Sequence, residues 1–177
     1  MVAIGAITNI ASAILLEPKI IEKIVVVWLS GHAFFRPHTA EFNLKQDVHA
    51  SRLIFNCGAP LVHIPCHGVT THLLTTLSEI EMFVRGRGPI GDYLADIYKN
   101  FHGDHFAVSK VIWDIATVAW LINDKWVPTD IVYSPILTDQ LTWSFDLSRH
   151  LIRSANMVFR DPIFKDLFLK LEKFFPR

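Results

Sequence analysis

The chain has 177 residues, 51% hydrophobic and 12% aromatic, which is enough apolar material for a real core and excludes a disordered segment. Lys+Arg and Asp+Glu number 17 each, so no charge imbalance argues for nucleic acid or an anionic membrane as a partner. Two cysteines, Cys57 and Cys66, exclude a disulfide scaffold and lack Cys-x-x-Cys spacing; they fit a reduced, cytoplasmic protein.

Met1 to Leu16 carries no charged side chain, yet it lacks a Lys/Arg-bearing start and is interrupted by Thr8-Asn9, so it does not read as a signal peptide. Thr8 or Asn9 can cap a short helix through Leu16, which Glu17-Pro18 ends. Ile24 to Leu29 is β-branched and continuous, the pattern of a strand buried on both faces of a parallel sheet. It is far short of the ~20 residues a membrane span needs. A loop follows from Ser30 to about Leu44, where His32, Arg36 and His38 can reach a ligand.

Asp47 caps a predicted helix with Ala50, Leu53, Ile54 and Cys57 on its apolar face, closed by Gly58. Leu61 to Ile64 is a second short strand. Strand, loop, helix and strand make a βαβ-type unit, so the expected class is α/β. Thr76-Leu77-Ser78-Glu79 is a capping box opening a helix to about Arg85, stopped at Gly86. Pro89 starts the next helix, with Ile90, Tyr93, Leu94, Ile97 and Phe101 expected inward.

The central stretch is Val111 to Ile122, whose apolar residues recur at 111, 112, 115, 118, 119 and 122, a helical spacing. Asp114 lies near its start beside Trp113. A charge on a buried helix must be paired, capped or metal-bound. Two readings stand: a helix-start acid that satisfies free N–H groups, or a metal ligand beside an aromatic base-stacking plate. Ile131–Ser134 and Leu151–Ser154 are weaker strand candidates. Asp161-Pro162 opens a last helix with Ile163, Leu167, Leu171 and Phe174 expected inward. No repeat or linker divides the chain, so 1–177 reads as a single domain.

In the loop, Glu41 and Asn43 stand two residues apart, so in extended chain they share a face and offer a carboxylate and an amide to a sugar's hydroxyls. Pro65-Cys66-His67-Gly68-Val69-Thr70 follows the second strand, where α/β sheets build their sites. There a main-chain carbonyl can face a cation. Glu41-Phe42-Asn43, Asp47, Val69-Thr70 and Asp114 in that order resemble the inosine-uridine-preferring nucleoside hydrolases, the nucleoside N-ribohydrolases. Ile4-Gly5-Ala6-Ile7-Thr8-Asn9-Ile10-Ala11 and Val27-Trp28-Leu29-Ser30-Gly31 are similar to further segments of that family, and the likeness runs from Ala3 to about Leu171.

The resemblance implies a Rossmann-like, mainly parallel sheet with flanking helices. It implies hydrolysis of the N-glycosidic bond of ribonucleosides, in purine salvage, with calcium as cofactor. Asp114 and the main-chain oxygen of Thr70 match calcium ligands; Glu41, Asn43 and Asp114 match ribose-binding positions. Trp113 stands where many members carry a histidine that protonates the leaving base, and is similar to the purine-preferring branch, where an indole stacks on the base. A core aromatic is the other reading of Trp113. Gly68 replaces an aspartate, and no asparagine occurs in 31–40. His105 and Arg36 are the nearest substitutes for an acid or clamp.

The family's aspartate cluster, Asp-x-Asp-x-Gly-x-Asp-Asp on its first strand, has no counterpart: the first aspartate is Asp47. The resemblance therefore implies the C-terminal half of such a domain, with N-terminal strands missing. Calcium takes six to eight oxygens and two are assigned here, so a preformed site is not expected. A non-catalytic pseudoenzyme, a homo-oligomer, or a split subunit completed by an N-terminal half are the alternatives from another class.

Overall fold

The structure, a computed structural model, describes residues 1–101 and 103–175. In chain order the elements are β1 (Val2–Ala3), α1 (Thr8–Leu16), β2 (Val26–Leu29), α2 (Phe42–Lys45), α3 (Val48–Asn56), β3 (Leu61–Ile64), β4 (Leu74–Thr76), α4 (Leu77–Phe83), α5 (Gly88–Phe101), β5 (Ser109–Val111), α6 (Ile115–Ile122), β6 (Thr129–Tyr133), β7 (Ile136–Leu137), β8 (Trp143–Ser144), β9 (Leu151–Ala155) and α7 (Arg160–Phe174). They form two compact units, Met1–Thr71 with Trp113–Val158, and His72–Ile112 with Phe159–Arg177. None of the described helices is long and apolar enough to cross a membrane.

The first unit is built on a five-stranded sheet in the order β1-β2-β3-β9-β6. The first four strands are mutually parallel, and β6 closes the edge antiparallel to β9. Every residue of β2 and of β3 is buried, as expected for strands covered on both faces. Register sets which side chains share a face. Val26 pairs with Leu61 and Trp28 with His63. Val26, Trp28 and Leu61 join Ile7, Ala11 and Ile14 of the α1 region and Ile54 and Phe55 of α3 in the main core. Asp47 caps α3 by accepting the Ala50 N–H at 2.9 Å, and Gly58 ends it at φ +79°. Leu53 and Cys57 of its predicted face are only partly buried.

Thr8 departs from its expected role. The α1 N-cap is Ile7, without a side-chain cap, and the Thr8 hydroxyl instead donates to Asp47 Oδ2 at 2.7 Å. That bond ties the start of α1 to the cap of α3.

The central stretch is a larger correction. Val111 closes a strand, Trp113 and Asp114 form a turn, and the helix begins only at Ile115. Backbone pairing with Leu74 claims Val111 before helix propensity can act on it. α6 then buries Ala116, Thr117 and Ala119, while Val118, Leu121 and Ile122 stay exposed. Asp114 is itself exposed, so the supposed buried charge is not buried.

The second unit pairs β4 with β5 antiparallel and packs α4, α5 and α7. The capping box is present: Thr76 Oγ1 accepts from the Glu79 N–H, and Glu79 accepts from the Thr76 N–H. Arg160 bonds Glu79 at 2.5 Å and the Leu74 carbonyl at 2.7 Å, and Phe83 stacks on Phe168 at 4.9 Å. The predicted inner face of α5 is also corrected. Ile90, Tyr93, Leu94, Ile97 and Phe101 are exposed, and the buried residues are Gly91, Ala95 and Tyr98. A Cβ on Gly91 would lie 2.5 Å from the Val84 carbonyl oxygen, so small residues let this helix approach closely. On α7, Ile163 is buried as expected, but Phe174 is exposed.

His63, at the centre of β3, is fully buried between Ser154 Oγ at 3.2 Å and the Ser30 carbonyl at 2.8 Å. Burial lowers its pKa to about 4. The unfolded chain takes up this proton near 6.5 and the folded chain refuses it until about 4, so protons favour unfolding within that window. Stability is expected to fall between pH 6.5 and pH 4, by about 3 kcal/mol for this residue. Denaturant titrations across that range should show the loss, and His63→Gln should flatten it.

Candidate functional site

A cavity of about 470 Å³ opens beyond the carboxyl ends of β2 and β3, the position expected of a site in an open α/β sheet. Glu41, Asn43, Trp113 and Asp114 all line it, with His32, Cys66 and His67. Four of the five residues marked by sequence are therefore brought together. Thr70 is not among the lining residues. It is fully buried, its hydroxyl donating to the Pro65 and Cys66 carbonyls at 3.1 and 3.2 Å. Arg36 does not line the cavity either, and His105 lies in the second unit with its Nε2 on the Lys99 carbonyl at 2.8 Å.

The loop that forms one wall folds around Glu41. Its carboxylate accepts the N–H groups of Gly31 at 3.0 Å, Asn43 at 2.9 Å and Leu44 at 3.1 Å. Glu41 thus caps α2 while pinning the end of β2 to it. Gly31 adopts φ +60°, and a Cβ there would sit 2.5 Å from Thr39 Oγ1, so glycine is required. The Asn43 amide donates to the Leu29 carbonyl at 3.0 Å.

The opposite wall comes from the turn after β3. Gly68 lies at φ +99°, with a notional Cβ only 2.7 Å from Ala33 Cβ. Freed by that glycine, the turn carries His67 to the cavity. His67 sits edge-on to the Trp113 indole, centroids 5.2 Å apart, and edge-on to His32 at 4.7 Å. His32 is buried and its pKa is lowered to about 4, by burial first and then by His67, so it is neutral at pH 7. Its Nδ1 lies 3.1 Å from the Gly31 carbonyl and 3.4 Å from the His67 nitrogen.

Asp114 occupies the N-cap position of α6 but makes no side-chain cap bond. The helix-start reading is met by its position and by its main-chain carbonyl, which accepts the Thr117 N–H at 3.3 Å, while its carboxylate bonds no N–H of the helix. Exposed by area, its carboxylate is still crowded enough by protein that its pKa is raised, by desolvation first and then by the Glu41 charge. Cys66 is pushed up as well, by burial first and then by Glu41 and Asp114, so it stays a thiol and is no nucleophile. The sequence marked His32 as able to reach a ligand and placed Cys66 and His67 in the turn after the second strand, where sites form; it carried no signal for the contact between His32 and His67 that joins the two segments.

Calcium takes six to eight oxygens. Asp114 offers one carboxylate, Glu41 is committed to three backbone N–H groups, and the Thr70 hydroxyl is committed to the Pro65 and Cys66 carbonyls, which leaves its main-chain oxygen as the one atom it could lend. Among the described residues no three His, Cys, Asp or Glu side chains cluster to hold a metal. These residues alone do not fit a calcium ion.

Residues 1–159 match the family model described as inosine-uridine preferring nucleoside hydrolase. The chain belongs to the nucleoside hydrolase family. A pyrimidine-specific ribonucleoside hydrolase RihB from Escherichia coli is 30% identical over 141 residues, covering 75% of this chain and 44% of that protein. Across the first curated relatives, the chain spans about half of their length. The fold is shared with a purine-preferring ribonucleoside hydrolase from Gardnerella vaginalis (TM-score 0.77, 21% identity, 98% of this chain and 60% of that one). It is shared too with an inosine-uridine preferring nucleoside hydrolase from Bacillus anthracis (TM-score 0.76, 20% identity, 97% and 59%).

The two carboxylates should have opposite effects on stability. Glu41→Ala strands three N–H groups and is expected to cost about 3 kcal/mol. The raised pKa of Asp114 means its ionisation is disfavoured in the fold, so its charge costs stability at neutral pH, and the cost disappears as pH falls through the folded value. Asp114→Asn is therefore expected to raise Tm at pH 7 by about 2 °C. Calorimetric scans of both variants check the signs.

Proposed function

We propose that the cavity is the ribose end of a nucleoside site, and that the reaction it serves is hydrolysis of the N-glycosidic bond of purine-leaning ribonucleosides to ribose and free base. The observation that carries this is the convergence of Asp114, Glu41, Asn43 and Trp113 on one cavity although they come from a loop and a turn about 70 residues apart. The Asp114 carboxylate, which makes no cap bond to α6, accepts from ribose hydroxyls. The Asn43 amide orients the sugar, and Glu41 shapes the loop and lends negative potential. Negative potential on this wall suits a sugar that develops oxocarbenium character as the bond breaks. Trp113 supplies a stacking plate for the base, worth about 1–3 kcal/mol in related base–aromatic contacts. Nothing in this reading passes through calcium, and Thr70 is retained only as a proposed main-chain ligand for a cation whose remaining oxygens come from elsewhere.

Calorimetry tests the reading. The chain should bind inosine, and Asp114→Asn or Trp113→Ala should weaken that binding by at least about fivefold. Calcium alone should show no binding at millimolar or better. Nucleoside affinity that ignores both substitutions would sink the proposal; tight calcium binding with release of ribose would show a complete catalytic site in these residues.

One observation favours a second reading, a non-catalytic or split-subunit partner. On the sheet face bearing Ile131, Tyr133 and Leu151, the residues are 62%, 41% and 56% exposed, and Trp120 of α6 lines the same groove as Ile131 and Leu151. Apolar patches of this kind mark interaction surfaces. In size-exclusion chromatography that reading expects a self-associated species, or a complex with a chain carrying the absent acids; a clean monomer that neither associates nor joins such a chain counts against it.

A further inference from the structure

We propose that His67 is a specificity-determining residue that turns the single plate of Trp113 into a two-walled aromatic corner, selecting two-ring purine bases over one-ring pyrimidines. The inference rests on the nucleoside reading of the cavity.

The argument is geometric. His67 and Trp113 line the same cavity and stand nearly perpendicular, 73° between planes with centroids 5.2 Å apart. Two planes at that angle form a corner. A flat heterocycle laid on one wall presents its edge to the other, and a fused pair of rings is long enough to touch both. A single ring on the same anchor reaches one. Contact area, and with it the stacking gain, therefore grows faster for a purine than for a pyrimidine.

The corner is also held in place. The turn that carries His67 depends on Gly68 at φ +99°, packed against Ala33 and Phe35. Behind His67, the His32 ring meets it edge-on at 4.7 Å and abuts its main-chain nitrogen at 3.4 Å. No described hydrogen bond commits either ring nitrogen of His67. The ring is exposed at the rim, where a base would enter. Asp114 follows Trp113 directly, so a nucleoside whose ribose meets that carboxylate brings its base to this corner.

The test titrates the full chain with inosine, uridine and ribose by calorimetry, using the wild type, His67→Ala and His67→Phe. Loss of the wall in His67→Ala should weaken inosine by about tenfold and uridine by less than about twofold. His67→Phe keeps an aromatic wall without ring nitrogens and should retain the inosine preference. An unchanged inosine-to-uridine ratio in His67→Ala overturns the proposal, as does a His67→Phe variant as weak as His67→Ala. If the wild type binds neither nucleoside, the site reading itself fails; if it binds both and only the ratio is insensitive to position 67, the corner alone is wrong.

Discussion

Glu41 holds the cavity end of the first unit together with one carboxylate. Three backbone N–H groups converge on it, from Gly31 at the end of β2 and from Asn43 and Leu44 in the first turn of α2. A carboxylate offers about four acceptor positions, so this one is nearly saturated, and charge-assisted bonds of this kind are stronger than neutral ones. The loop is long, and without that anchor its backbone donors would have to find water. With it, Asn43 and the aromatic wall at His32 are set at fixed positions against the sheet.

The anchor also imposes a cost across the cavity. Asp114 makes no side-chain cap bond, and its ionisation is disfavoured by desolvation first and then by that same negative charge. That cost, at a helix start where the side chain makes no cap bond, is the physical ground for proposing a ligand-binding role for Asp114. Burial first, and then the Glu41 and Asp114 charges, hold the nearby thiol of Cys66 protonated.

Helix packing follows a second rule in both units. α5 approaches its neighbours through Gly91 and Ala95, and α6 through Ala116 and Ala119, leaving their larger apolar residues outside. Close approach through small residues gives dense contact near the backbone. It also leaves apolar surface available for another polypeptide, which is the physical ground of the split-subunit reading.

The sequence by itself determined the elements whose cues are local. Continuous β-branched runs gave β2 and β3, Asp47 and the Thr76–Glu79 pair gave helix starts, and Gly58 gave an end, because each depends on a few neighbouring residues. The order of Glu41, Asn43, Thr70, Trp113 and Asp114 was enough to point to a family. Only the tertiary structure decided where Val111 stops being helix, since its partner strand is far away in sequence. It alone decided which face of α5 and α6 is buried, because periodicity weighs large side chains while these helices pack through small ones. And it alone brought His67 beside Trp113, since the turn that aims the imidazole is set by Gly68 fitting against Ala33, a contact between segments that no spacing in the sequence records.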